Sequence, residues 1–331
     1  MFLEKVFSGK NDIGRWIALI MIVMTGIFVV GLIPLKIAMF LKLNDNPDLV
    51  PDPENPFDFW SYDISPVTGL ALTTFPFVIG LLALLFLIRP VHERPVISLF
   101  TGGESFRWKR FFWAISMWLL LLVLYSSISI AAGIQKIQTQ FNLENLIYLI
   151  IVSLVLLTIK AVFEETFFRG YLMQGFTKLF LNRWMPALAT SILFAGFYYF
   201  YPEVKAFGLR ILLPHCLWFG IFLGICTIMD EGVEIALGIH VINSIFFAIF
   251  FTDQSNATQT PAVFNILDTN SFIELIGLLL ISLLFLQFAR RKFSWPDWNY
   301  LFSKIEEPEI SEEMNNEDYG FLEEDEDNER Y

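Results

Sequence analysis

Apolar stretches long enough to cross hydrocarbon recur from one end of this chain to the other, and that recurrence constrains its fold more than any other feature. A bilayer core of about 30 Å takes about 20 helical residues. Candidate spans fall at 14–41, 65–88, 111–134, 146–168, 184–200, 206–229, 233–251 and 272–290. The composition agrees, since 55% of the 331 residues are hydrophobic and 36 are phenylalanine. The expected fold class is therefore an all-α polytopic membrane protein with about eight transmembrane helices. Span one is long enough to tilt or kink, and Pro34 gives it a place to do so. Basic residues precede it, but the apolar run is too long for a signal-peptide core and no small-residue cleavage site follows, so it reads as a retained span.

Charge is distributed unevenly. The net charge is −12, yet residues 304–331 hold 13 acids against Lys304 and Arg330. The remainder is close to neutral, which removes the electrostatic case for nucleic acid. A tail so acidic and so poor in apolar residues is expected to be disordered, with a basic cytoplasmic protein as the partner its charge would suit. Lys and Arg cluster before span one, between spans two and three, after span four and after span eight, all on one side if the spans number eight. That places both termini in the cytoplasm. Asp230-Glu231-Gly232, between spans six and seven, lacks the positive charge expected there. Trp295, Trp298 and Tyr300 are expected at headgroup level. Cys216 and Cys226 lie ten residues apart in one apolar segment, roughly 15 Å along a helix, so they cannot bond to each other.

Ionisable groups within a span are costly and mark sites by default. Span four ends with Lys160, Glu164, Glu165 and Arg169 on a helix that meets no Pro or Gly until Gly170. Helical spacing sets Glu165 beside Arg169 and turns Glu164 about 100° away. A ladder of Lys160, Glu165 and Arg169 is one reading. A carboxylate in an apolar pocket, serving as a general base toward water, is the other. His240 lies mid-span with Asn243 at i+3 and Ser244 at i+4, an arrangement suited to holding an oxyanion or a water, or simply to packing. His215 follows Pro214 near the start of span six.

These residues resemble a known family. Glu164-Glu165-x-x-x-Arg169, the segment ending Phe194-Ala195-Gly196-Phe197, and Gly238-Ile239-His240-x-x-Asn243 are similar to the successive motifs of the CPBP family. That family includes the type II CAAX prenyl endopeptidases and the bacteriocin-processing and immunity proteins. The resemblance runs over roughly residues 145–265, including Thr258-Gln259-Thr260-Pro261-Ala262. It implies an intramembrane endopeptidase of a bacterial inner membrane that hydrolyses a peptide bond of a membrane-associated protein. Glu164 would be the general base, Glu165 and Arg169 its electrostatic support, and His240 with Asn243 an oxyanion-stabilising pair. A divalent metal such as zinc is a further option within the family's chemistry, and it would want three protein ligands.

The family's second motif, Phe-x-x-x-His, meets Tyr198 here, and its last motif commonly carries Asn where this chain has Ser244. Two readings stay open. Either His215 supplies the imidazole from a neighbouring helix, or the chain is a catalytically impaired membrane scaffold or binding subunit of a membrane complex. The expected organisation is residues 1–140 as helices one to three, 141–270 as a CPBP-like core, 271–303 as the last span with an interfacial segment, and 304–331 as the tail. The lipid bilayer and a membrane-associated protein or peptide substrate are the implied partners.

Overall fold

A computed structural model describes residues 1–51, 58–140, 142–199, 209–252 and 260–307. Most of the acidic tail (308–331), Thr258 and Gln259, and the first residues expected for span six therefore lie outside the described residues.

Among the described residues eight apolar helices follow one another along the chain. They are α1 (Ile13–Asp45), α2 (Pro66–His92), α3 (Trp108–Ala131), α4 (Leu143–Phe180), α5 (Trp184–Tyr198), α6 (Leu209–Asp230), α7 (Glu234–Phe250) and α8 (Ser271–Phe293). Among the described residues six are long and apolar enough to cross a membrane, while α5 and α7 are shorter apolar helices. Large apolar side chains face outward around the bundle: Phe40 is 69% exposed, Phe86 73% and Leu280 58%. On a soluble surface such a coat would drive association. Here it faces acyl chains, and the protein is an integral membrane protein.

Local signals set the helix ends. Ser65, Asn142 and Asn270 accept hydrogen bonds from backbone amides three residues on, satisfying otherwise orphaned donors at the starts of α2, α4 and α8. The break in α1 precedes Pro34: residues Gly26–Gly31 wind as a π-helix. A Cβ at Gly31 would lie 2.5 Å from Pro76 Cα, so only glycine lets α1 and α2 cross this closely.

α4 runs past the expected end at residue 168, because nothing breaks it before Leu181 turns left-handed at φ 51°. Its 38 residues span about 57 Å, more than hydrocarbon requires, and the last turns dock under the bundle. There the Gln174 side chain donates to Ser98 O at 2.8 Å, and Lys178 to Asn11 O at 3.2 Å.

The all-α expectation has one addition. β1 (Gln135–Thr139) pairs antiparallel with β3 (Phe264–Thr269), which pairs in parallel with the short β2 (Phe251–Thr252), in the order β1-β3-β2. This sheet joins the connections after α3 and after α7 on one face of the bundle.

The opposite face gathers the basic loops, and the acidic turn between α6 and α7 is their counter-charge. Arg107 reaches Asp230 at 3.1 Å and Glu234 at 2.6 Å, Arg110 pairs with Asp230, and Arg183 lies 3.3 Å from Glu231. Burial works against the Arg107 cation, but its bond to Glu234 and the neighbouring Asp230 raise the guanidinium above its ordinary value. The missing positive charge of residues 230–232 is thus explained: the turn lies among arginines contributed by two other connections. Glu231 also accepts from the Phe2 amide and the Tyr300 hydroxyl. Trp295 turns inward. It is 6% exposed and donates to Asp230 Oδ1 at 2.8 Å.

Candidate active site

α4 supplies the charged core of the site. It passes from α-helix to π-helix at Thr166–Leu172, immediately after Glu164 and Glu165. Such wide turns break the regular side-chain register and recur at functional positions. Glu164, Glu165 and Arg169 are all fully buried. Two ion pairs run along the helix, each one turn long: Lys160 Nζ to Glu164 Oε1 at 3.3 Å, and Arg169 Nη1 to Glu165 Oε1 at 3.1 Å. Lys160 therefore does not continue a ladder to Glu165. The i+4 spacing pairs it with Glu164, whereas i+5 points elsewhere.

The other helices close around this pair. His240 of α7 stands between the two carboxylates, Nδ1 2.6 Å from Glu165 Oε1 and Nε2 3.1 Å from Glu164 Oε2. Ionised carboxylates only accept, so both bonds form together when the ring carries both protons or when one carboxyl is protonated. Phe194 and Phe219 stand edge-on to the imidazole, at 6.0 Å and 5.5 Å between centroids. Arg169 lies 4.5 Å over the Phe194 ring and donates its Nη2 to Gly220 O at 3.2 Å. Tyr198, at the end of α5, brings its hydroxyl within 3.2 Å of Glu164 Oε1. The two carboxyl groups thus meet Lys160, Arg169 and the imidazole within walls of aromatic rings, and these pairings offset the cost of removing charge from water.

The sequence-derived residues separate into two groups. Glu164, Glu165, Arg169, Tyr198 and His240 meet. Asn243 turns toward α3, where its Oδ1 accepts from Trp118 Nε1 at 3.2 Å. His215 is half-buried, and among the described residues no hydrogen bond joins it to the carboxylates. It precedes Gly220, the residue that bonds Arg169, by five positions, or about 7.5 Å of helix. Lys160 and the Gly220 carbonyl are members that spacing alone did not assign to Glu164 and Arg169.

A zinc centre needs three protein donors. Among the described residues no group of three His, Cys, Asp or Glu side chains is arranged to hold a metal ion. The Lys160 ammonium stands against Glu164 where a second cation would be repelled. This donor set does not fit a zinc centre.

Residues 144–246, from the start of α4 into the last part of α7, match the family described as type II CAAX prenyl endopeptidase Rce1-like. That segment is similar to the Rce1-like family. It contains every side chain of the buried cluster, and the helices before and after it complete the bundle. The chain is also 25% identical over 281 residues to the uncharacterized protein YyaK of Bacillus subtilis (strain 168), an alignment covering 84% of this chain and 91% of that protein. No solved structure matches it.

Proposed function

We propose that this chain is an intramembrane endopeptidase in which Glu164 activates water and His240 assists. Proteolysis of the CAAX type is what the Rce1-like match supports at the level of the family. The observation that carries the finer reading is the imidazole of His240, engaged on both nitrogens by adjacent buried carboxylates. A general base and a neighbouring donor within hydrogen-bond reach of one point are what hydrolysis of an unactivated amide requires.

In this reading a water beside Glu164 gives up a proton to that carboxylate as its oxygen bonds to the scissile carbonyl carbon. The carbonyl π pair moves onto oxygen. His240, its Nδ1 held by Glu165, presents Nε2 to that developing charge. When the C–N bond breaks, its electron pair leaves with nitrogen, which takes the proton back from Glu164. Arg169 keeps Glu165 in place and does not touch the reacting atoms. We place the protein in a bacterial inner membrane with the basic face in the cytoplasm.

The test is cleavage of a fluorogenic farnesylated CAAX peptide by the purified full chain in detergent. Glu164→Gln keeps the side-chain volume and removes the base, so cleavage should fall by about 10²-fold to 10⁴-fold. Undiminished turnover by that variant would remove Glu164 from the mechanism. A second reading, a non-catalytic binding subunit, draws on Tyr198 and Lys160 both bonding Glu164. It predicts no cleavage by the native chain and loss of a membrane complex when the protein is deleted.

A further inference from the structure

Beside His240, three polar groups close a ring. Lys160 Nζ lies 3.3 Å from Glu164 Oε1 and 3.1 Å from the Tyr198 hydroxyl oxygen. That hydroxyl lies 3.2 Å and 3.3 Å from the two oxygens of Glu164. The direction of each bond follows from chemistry. An ammonium only donates and an ionised carboxylate only accepts. The phenol oxygen must therefore accept from Lys160, and its single hydrogen must point away from the ammonium, toward Glu164.

Lys160 has little freedom to do otherwise. Its side chain is 17% exposed, and its Nζ stands 5.2 Å from the centroid of the Tyr198 ring and 5.4 Å from that of Phe77. Aromatic faces attract a cation at this range and keep it near the hydroxyl. A hydroxyl that accepts a bond from a cation becomes a stronger donor, because polarisation leaves its own hydrogen more positive. α4 and α5 thus hold a polarised O–H beside the carboxylate that would activate water.

We propose that Tyr198 is a catalytic residue that donates its O–H to the scissile carbonyl oxygen as this becomes an oxyanion, and that Lys160 is the positioning residue that holds and polarises it. The assignment rests on the endopeptidase reading above. As Glu164 takes the proton of water it becomes neutral and its hold on the phenol hydrogen weakens. That hydrogen turns about the C–O bond to the new oxyanion. The proton stays on Tyr198 throughout, so the weak acidity of a phenol, with an ordinary pKa near 10, is no obstacle. When the C–N bond breaks, the oxyanion re-forms its carbonyl and the hydroxyl returns to Glu164.

The experiment measures kcat and KM for the farnesylated peptide on the native chain and on Glu164→Gln, Tyr198→Phe, Lys160→Met and Lys160→Arg, with thermal unfolding of each. Tyr198→Phe should lower kcat about 100-fold, the loss expected for one oxyanion donor, and leave KM unchanged. Lys160→Met should lower kcat, and Lys160→Arg, which keeps a donating cation, should recover most of it. An imidazole donates without help from an ammonium, so adding Tyr198→His to Lys160→Met should raise kcat above that of Lys160→Met alone. Full kcat in Tyr198→Phe beside an inactive Glu164→Gln would overturn the tyrosine assignment and leave the peptidase reading standing. Should Tyr198→Phe not fold, equal kcat in Lys160→Met and Lys160→Arg would overturn it instead. A native chain that cleaves nothing, or an active Glu164→Gln, would overturn the endopeptidase reading and this inference together.

Discussion

Arg107 holds Glu234 through two parallel hydrogen bonds, Nε to Oε1 at 2.7 Å and Nη2 to Oε2 at 2.6 Å, across 127 positions of chain. The forked geometry matches a carboxylate at two points and fixes orientation as well as distance. It fastens the start of α7, and hence the helix that carries His240, to the connection before α3.

Glu234→Ala should therefore destabilise the protein by about 2–4 kcal/mol, less than breaking a fully buried pair because Arg107 keeps 27% of its side chain exposed. Arg107→Met combined with Glu234→Leu should recover part of that loss, since both members of the fork are then gone and Asp230, which also loses Arg107, keeps Arg110 and the Trp295 donor. Unfolding in detergent, run as a double-mutant cycle, reads the coupling directly. An additive cycle would show that the fork contributes nothing to stability.

Arg169→Ala should cost more, about 3–5 kcal/mol, because both partners of its ion pair are fully buried. It leaves Glu165 facing His240 without its second cation, so cleavage should fall along with stability. A stable but inactive Arg169→Ala protein would show that the guanidinium serves the reaction and not the fold.

Gly170→Ala should be disruptive out of proportion to its size. The added Cβ would lie 2.3 Å from Leu99 O, a backbone atom with no rotamer to yield. The expected loss is about 1–3 kcal/mol, with a drop in cleavage, since Gly170 adjoins Arg169. Gly14→Ala meets nothing within 4 Å and should leave thermal stability unchanged or slightly raised. Equal melting temperatures for the two variants would refute the close approach of α4 to the turn at Leu99.

Reporter fusions after Glu231 and after Glu307 should report the same side of the membrane, and a fusion after Val50 the other. The first pair follows from the ion pairs that tie Glu231 to the basic connections, and from Tyr300 bonding the same carboxylate. Opposite signals from Glu231 and Glu307 would show that only one of α7 and α8 crosses the membrane.

The eight apolar helices were legible because each is local: a run of apolar residues needs no knowledge of its neighbours to be read. Glu164, Glu165 and Arg169 were legible for the same reason, sharing one helix at fixed angles. The partner of Lys160 was misassigned because spacing is decisive only to within one residue, and i+4 rather than i+5 faces it. Asn243 reads as a neighbour of His240, yet three residues of helix rotate it toward Trp118. The sheet was missed because Gln135–Thr139 and Phe264–Thr269 are short, and the register that joins them resides in neither segment alone. Asp230 and Glu231 looked anomalous only until the arginines of distant connections were placed beside them.

The cluster on Glu231 also orders the making of the protein in time. Phe2 leaves the ribosome long before Tyr300, yet both bond the same carboxylate, and Arg183 between them bonds Glu4 and Ser303. The early segment can first rest on the end of α4, where Gln174 donates to Phe2 O, but Glu231 reaches it only once α6 has been made, and Tyr300 joins that carboxylate only after α8. This face is thus a latch whose last member is Tyr300, and a chain that ended before α8 would leave Glu231 without that donor and Arg183 without Ser303.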